Sequence, residues 1–250
     1  MKRQLAIILA ALMLIALFAG CRTRAPEPPE DSEEASESVS ESSAASIPAS
    51  QQGAVDKNAD IDPSDVHIIQ FNNPKAGDQI AVITTSEGVI RIRLFPEQAP
   101  KTVEAFTNLV KDGYYNGQKV STVINGFKIQ AGDPSAASAK SLPADGEFSF
   151  DLWNFRGAVT ATGKGSEFLI VQAKSPINSV DEMKQAKFPE KVIKKYEETG
   201  GAPHLDWNNT VFGQVINGMD IVDKIAALES DDDGKPSDEI IITTVTIETH

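Results

Sequence analysis

No acid-base, nucleophilic or metal-ligating constellation stands out in this 250-residue sequence. The three histidines, His67, His204 and His250, share no short spacing, so neither a zinc site nor a histidine-based triad is announced. Gly163-Lys164-Gly165-Ser166-Glu167 sets glycines beside a serine but follows neither the nucleophile-elbow nor the phosphate-loop pattern. It reads as a turn ahead of the apolar string Phe168-Leu169-Ile170-Val171. Asp231-Asp232-Asp233-Gly234 could open a calcium loop, but Lys235 and Pro236 follow and no Glu stands at the closing position, so a solvated turn between helix and strand is expected. The single cysteine, Cys21, excludes an internal disulfide and a multi-thiolate metal site. No cofactor is expected. A formal charge of -13 leaves no surplus of Lys and Arg to displace counterions from phosphates, which argues against a nucleic-acid partner.

The elements around these residues divide the chain into three parts: a signal segment over 1–20, a linker over 21–65 and a globular domain over 66–250. Lys2 and Arg3 precede an unbroken apolar run from Leu5 to Phe18, and Ala19 and Gly20 lead into Cys21. That is the layout of a secretory signal, and the run is shorter than the about 20 residues a permanent bilayer span needs. Phe18-Ala19-Gly20-Cys21 resembles the lipobox of bacterial lipoproteins, which implies lipidation of Cys21 and a chain anchored on the extracytoplasmic face of the cell membrane. From Arg22 onward Ser, Glu, Ala and Pro dominate, as in Glu33-Glu34-Ala35-Ser36-Glu37-Ser38, and so apolar-poor a stretch is expected to be a disordered acidic tether.

Beyond the linker the pattern is mainly β. Gln79 to Thr84 and Val89 to Phe95, separated by Ser86-Glu87-Gly88, predict a hairpin, with Arg91 and Arg93 alternating against Ile90, Ile92 and Leu94. Val103, Phe106, Leu109 and Val110 fall on one face of a helix from Pro100 to Val110 that stops at Gly113. A second helix is predicted from about Pro189 to Glu198, ending at Gly200-Gly201. Short apolar strings at 211–216 and 240–247 complete a pattern suited to a barrel or sandwich.

Several longer strings carry a family resemblance. Gly113-Tyr114-Tyr115-Asn116-Gly117, Val123-Ile124-Asn125-Gly126-Phe127-Lys128-Ile129-Gln130-Ala131-Gly132-Asp133-Pro134, Gly165-Ser166-Glu167-Phe168-Leu169-Ile170, His204-Leu205-Asp206 and Thr210 to Ile225 occur in the order in which cyclophilins carry similar strings. The resemblance covers roughly 78 to 249. It implies a closed eight-stranded antiparallel barrel capped by two α-helices, and peptidyl-prolyl cis-trans isomerase activity.

That reaction is a slow rotation about the X-Pro amide, behind a barrier of roughly 20 kcal/mol. An apolar seat for the proline and a hydrogen bond to its nitrogen, which becomes basic as the amide twists, lower the barrier without covalent chemistry. Cyclophilins supply the donor from an arginine, where this chain has Thr122, uncharged and too short to reach as far. The resemblance places Phe127, Gln130, Thr162, Glu167, Leu169, His204, Leu205 and Asn209 around the proline pocket, with Glu167, Leu169 and Asn209 departing from the family's glutamine, phenylalanine and histidine. Five of them have a plainer alternative: Phe127, Leu169 and Leu205 as packing, Gln130 as a strand-end cap, His204 as a surface histidine. The expected partners are proline-containing segments of exported proteins, bound by a monomer. Loss of the donor implies weakened catalysis, by about 100- to 1000-fold for one preorganised donor. The rival reading is a non-catalytic chaperone or adaptor module. Lys119 or Lys128 would alter the balance if either reached the pocket. A solute-binding lipoprotein fits the anchor but not so short and strand-rich a domain.

Overall fold

A computed structural model describes residues 57, 58 and 60–250; the signal segment, Cys21 and most of the linker lie outside these described residues. The domain is built on one antiparallel eight-stranded sheet: β1 Gln79–Thr85, β2 Gly88–Leu94, β3 Val120–Ile124, β4 Lys128–Ala131, β5 Ala158–Ala161, β6 Phe168–Val171, β7 Thr210–Asn217 and β8 Ile242–Thr249. Their order across the sheet is β3-β4-β6-β5-β7-β2-β1-β8. The sheet curls until its edge strands approach, with Val120 N donating to Ile240 O at 2.9 Å and Ile242 N to Gln118 O at 2.8 Å. Only an isolated bridge, Lys119 to Ile241, joins those edges. The expected closed barrel is therefore a curled half-barrel, because β3 and β8 meet over too few residues to form a ladder.

Alternation of side chains decides what lies inside. Ile83, Ile90, Ile92, Val123, Ile129, Phe168, Ile170 and Phe212 pack into one apolar cluster with residues of two helices, α1 Pro100–Lys111 and α4 Met219–Ala226. These two occupy the cap positions that the resemblance implies. The Pro100 ring suits the first helical turn, where an amide N–H would have no intrahelical partner. Ala99 offers no capping side chain; instead the Glu147 carboxylate, distant in sequence, accepts from Lys101 N at 3.0 Å and Thr102 N at 2.8 Å. A carboxylate there satisfies orphan donors and faces the positive end of the helix dipole.

Two further helices, α2 Val180–Gln185 and α3 Glu190–Thr199, lie in the segment inserted between β6 and β7. The helix predicted over about 189–198 is therefore present but caps no part of the sheet. Met183, Phe188, Val192, Ile193 and Tyr196 bury against Trp153 and Phe155 in a second cluster. Ile61 and Val66 join it. Asn58 is buried too, donating from Nδ2 to Ala186 O at 2.8 Å and accepting from Trp207 Nε1 at 2.9 Å. The linker expected to end at 65 thus gives way to packed chain by Asn58. The polar run Asp60 to Ser64 hides this, since only Ile61 is buried there.

Candidate functional site

The outward faces of β3, β4 and β6 form the floor of the site. Register sets Thr122 opposite Gln130, and Gln130 opposite Leu169, so these three side chains make one row across the three strands. Lys128 and Gln130 are two residues apart on β4 and share that face. Val123, Ile129 and Ile170 form the matching row on the inward face.

Phe127 is carried by the tight turn between β3 and β4, where Gly126 has φ 80° and Phe127 N donates to Ile124 O at 3.0 Å. A polar frame fixes this turn. Gln172 accepts from Gly126 N through Oε1 at 2.9 Å, and the Gln172 and Ala173 amides donate to Phe127 O at 2.7 and 3.2 Å. Gln172 Nε2 donates to Asp223 Oδ1 at 2.7 Å, and Arg156 forms a two-oxygen pair with the same carboxylate at 2.9 and 2.8 Å. Burial pushes Asp223 up, but hydrogen bonds from Gln172, Arg156 and Lys174 outweigh it and hold the carboxyl below its ordinary value. The sequence gives no local sign of this frame, because its members are far apart in the chain.

Phe127 and Leu205, both part-buried, close over the fully packed Leu169, Val171 and Val211. Leu169 is 2% exposed, so it is the floor beneath Phe127 and Leu205 rather than a free wall. His204 stands at the rim, its ring 5.3 Å from that of Phe127 and its backbone N–H donated to Asn178 Oδ1 of the insertion at 3.0 Å. The ring is desolvated on the Phe127 side and faces the Lys128 charge, and both lower its pKa.

Glu167, 6% exposed, enters from the start of β6 and accepts from Thr162 Oγ1 at 3.0 Å. The loop holding both is docked by two close glycine contacts. A Cβ on Gly165 would meet Asp133 O at 2.1 Å, and one on Gly132 would meet Ser166 O at 2.5 Å. Asn209 is turned aside: its Nδ2 donates to Ala161 O at 3.2 Å, and it lines a neighbouring cleft with Glu147, Leu152 and Trp207. Thr122 is part-exposed and shares the row, with its methyl against the Asp231–Gly234 turn, where a Cβ on Gly234 would lie 2.9 Å from Thr122 Cγ2. Cys21 lies outside the described residues.

Of the two lysines raised from the sequence, Lys128 is the one beside this row. Lys128 donates from Nζ to Gln130 Oε1 and stands 5.4 Å from the Phe127 ring centre. Desolvation lowers its pKa, the Glu167 carboxylate opposes that, and Lys164 adds to it. Lys119, in contrast, pairs with Glu239 at the exposed sheet edge.

An antiparallel curled sheet with two capping helices and an aromatic seat on its outer face is a cyclophilin-like arrangement. The profile described as cyclophilin type peptidyl-prolyl cis-trans isomerase/CLD matches residues 80–247, and the chain belongs to that family. A Staphylococcus saprophyticus protein named "Putative peptidyl-prolyl cis-trans isomerase" is 38% identical over 190 residues, covering 71% of this chain and 96% of that protein. A Staphylococcus aureus protein of the same name is 36% identical over 183 residues, 69% of this chain and 93% of that one. Among solved structures, a Cryptosporidium parvum cyclophilin type peptidyl-prolyl cis-trans isomerase matches with TM-score 0.52 and 26% identity, over 69% of this chain and 99% of that one. The same Cryptosporidium protein crystallised in the presence of the dipeptide Ala-Pro matches with TM-score 0.51 at 26% identity, over 68% of this chain and 99% of that one.

Proposed function

We propose that the chain is a prolyl isomerase that seats X-Pro segments on the outward face of β3, β4 and β6, with turnover below that of an arginine-bearing member of its family. One observation carries this reading: Phe127, held by a bonded turn, packs with Leu205 on the cluster that contains Leu169, next to a row that also offers the Gln130 amide. The proline ring stacks on Phe127 and Leu205, and Gln130 Nε2 is oriented toward the substrate backbone. Its Oε1 is engaged by Lys128, which fixes the amide's direction. Thr122 offers no cation, so rotation proceeds without the family's arginine at that position.

The signal layout ahead of Cys21 supports a lipid-anchored, monomeric protein acting outside the cytoplasmic membrane on segments of exported proteins. Two or more acyl chains would make that anchor stable. Among the described residues no helix is long and apolar enough to cross a membrane.

A protease-coupled isomerisation assay of the full chain on an Ala-Ala-Pro-Phe anilide, with Thr122→Arg beside it, tests the reading. Turnover above the uncatalysed rate that rises further in Thr122→Arg is expected. A wild-type rate at background, with Thr122→Arg equally silent, would contradict it. Peptide binding without turnover in the wild type supports the rival adaptor reading, which the uncharged Thr122 favours.

A further inference from the structure

We propose that Lys128 Nζ is the hydrogen-bond donor to the twisting prolyl nitrogen, a catalytic residue that stands in for the arginine replaced by Thr122. The inference rests on the isomerase reading above and assigns its missing donor. The register argument comes first: Lys128 projects from the same face as Gln130, which lies between Thr122 and Leu169 in the row. The bond from Nζ to Gln130 Oε1 then draws the ammonium along the strand toward that row, while Nζ stays within 5.4 Å of the Phe127 ring. A proline stacked on Phe127 would therefore present its nitrogen beside this ammonium.

Competing cations are committed elsewhere. Arg156 and Lys174 pair with Asp223, and Lys119 pairs with Glu239, whereas Lys128 forms no ion pair among the described residues. Lys164 lies on the exposed loop ahead of β6. An ammonium with three donors can keep its bond to Gln130 and direct a second N–H at the substrate. No bond to a heavy atom forms or breaks: the proton remains on Nζ throughout, and the donated hydrogen bond strengthens as the prolyl nitrogen becomes pyramidal. A point-charge donor lacks arginine's fixed fork, which accounts for reduced rather than absent turnover.

The charged and titratable groups facing Lys128 are Glu167 and Lys164 from the loop ahead of β6 and His204 from the rim, while its neighbours on β3, Thr122 and Ile124, are neutral. Desolvation makes this ammonium titrate below an ordinary lysine, so activity falls at alkaline pH sooner than an unperturbed lysine would allow.

The test uses the full chain and the same anilide, comparing wild type, Lys128→Met, Lys128→Arg and Thr122→Arg/Lys128→Met, with peptide affinity read separately by NMR titration. Lys128→Met should lower kcat/KM by about 100-fold or more, with a far smaller loss of affinity, and abolish the alkaline limb. Lys128→Arg should stay within about 10-fold of wild type, and the double variant should recover turnover. Undiminished turnover in Lys128→Met overturns the assignment and leaves the isomerase reading intact. A silent wild type with an active Thr122→Arg also overturns it, and shows a sound pocket without a donor. If every variant is silent, the isomerase reading falls with it.

Discussion

The two faces of β3, β4 and β6 differ by one residue of register and almost entirely in chemistry. Inward, Val123, Ile129 and Ile170 face each other in a row that packs on Phe168, α1 and α4. Outward, Thr122, Gln130 and Leu169 form the parallel row, flanked by Lys128 and Glu167. The inward set needs only to be apolar and well fitted, whereas outward Gln130 is bonded by Lys128 and Glu167 by Thr162. The inward face is thus built for packing, and the outward one carries the side chains of the proposed site. Because side chains alternate with a period of two, slipping one strand by a residue would exchange the two.

Substitutions separate the faces in order of effect. Phe168→Ala, deep in the inward cluster, should cost about 3–5 kcal/mol of unfolding free energy by denaturant titration. An effect under about 1 kcal/mol would break the contrast. Gly165→Ala should cost about 1–3 kcal/mol, because the residue has φ 52° and a Cβ there meets the Asp133 carbonyl. It should also depress turnover through Glu167 and Thr162, which the loop positions.

Beside the second cluster, Asp206 is buried and burial raises its pKa to about 7, even though Tyr196 and Asn154 donate to it. The folded value exceeds the unfolded one of about 3.9, so the stability this group confers is fully present below about pH 4 and is lost as pH rises through about 7. Thermal unfolding midpoints should therefore be higher at about pH 5 than at about pH 7.5, and Asp206→Asn should flatten that difference. The lowered carboxyls Asp62, Asp133, Glu182 and Asp223 act in the opposite sense only in more acid solution, since their unfolded values lie near 4. The smallest effect on stability is expected for Lys128→Met, within about 0.5 kcal/mol of wild type, despite its large effect on turnover.

Much of this division was legible in the chain. The 79–84 and 89–95 strings became β1 and β2, and the 100–110 pattern became α1, because periodicity and turn residues are local signals. Phe127, Gln130, Leu205 and His204 are singled out by their place in ordered strings, and the structure sets the His204 ring beside that of Phe127 and packs Phe127 and Leu205 on one cluster. Leu169 fell on the packing side of the alternatives, and the Asn209 amide is spent on a backbone carbonyl. The Arg156-Asp223-Gln172 frame, the Glu147 cap of α1 and the bond from Lys128 to Gln130 were not legible. The first two join residues tens of positions apart, and the third depends on which way a flexible lysine turns. Asn58 and Ile61 were hidden for another reason, since two buried side chains in a polar run leave composition nearly unchanged.

The most direct test is NMR exchange spectroscopy on an Ala-Pro-containing peptide with catalytic amounts of the full chain, while amide shifts of the protein are followed. Cis-trans exchange faster than the uncatalysed rate, with shifts concentrated at Phe127, Lys128, Gln130, Leu169 and Leu205, is the expected result. Unaccelerated exchange, or shifts that spare these residues, would contradict the account.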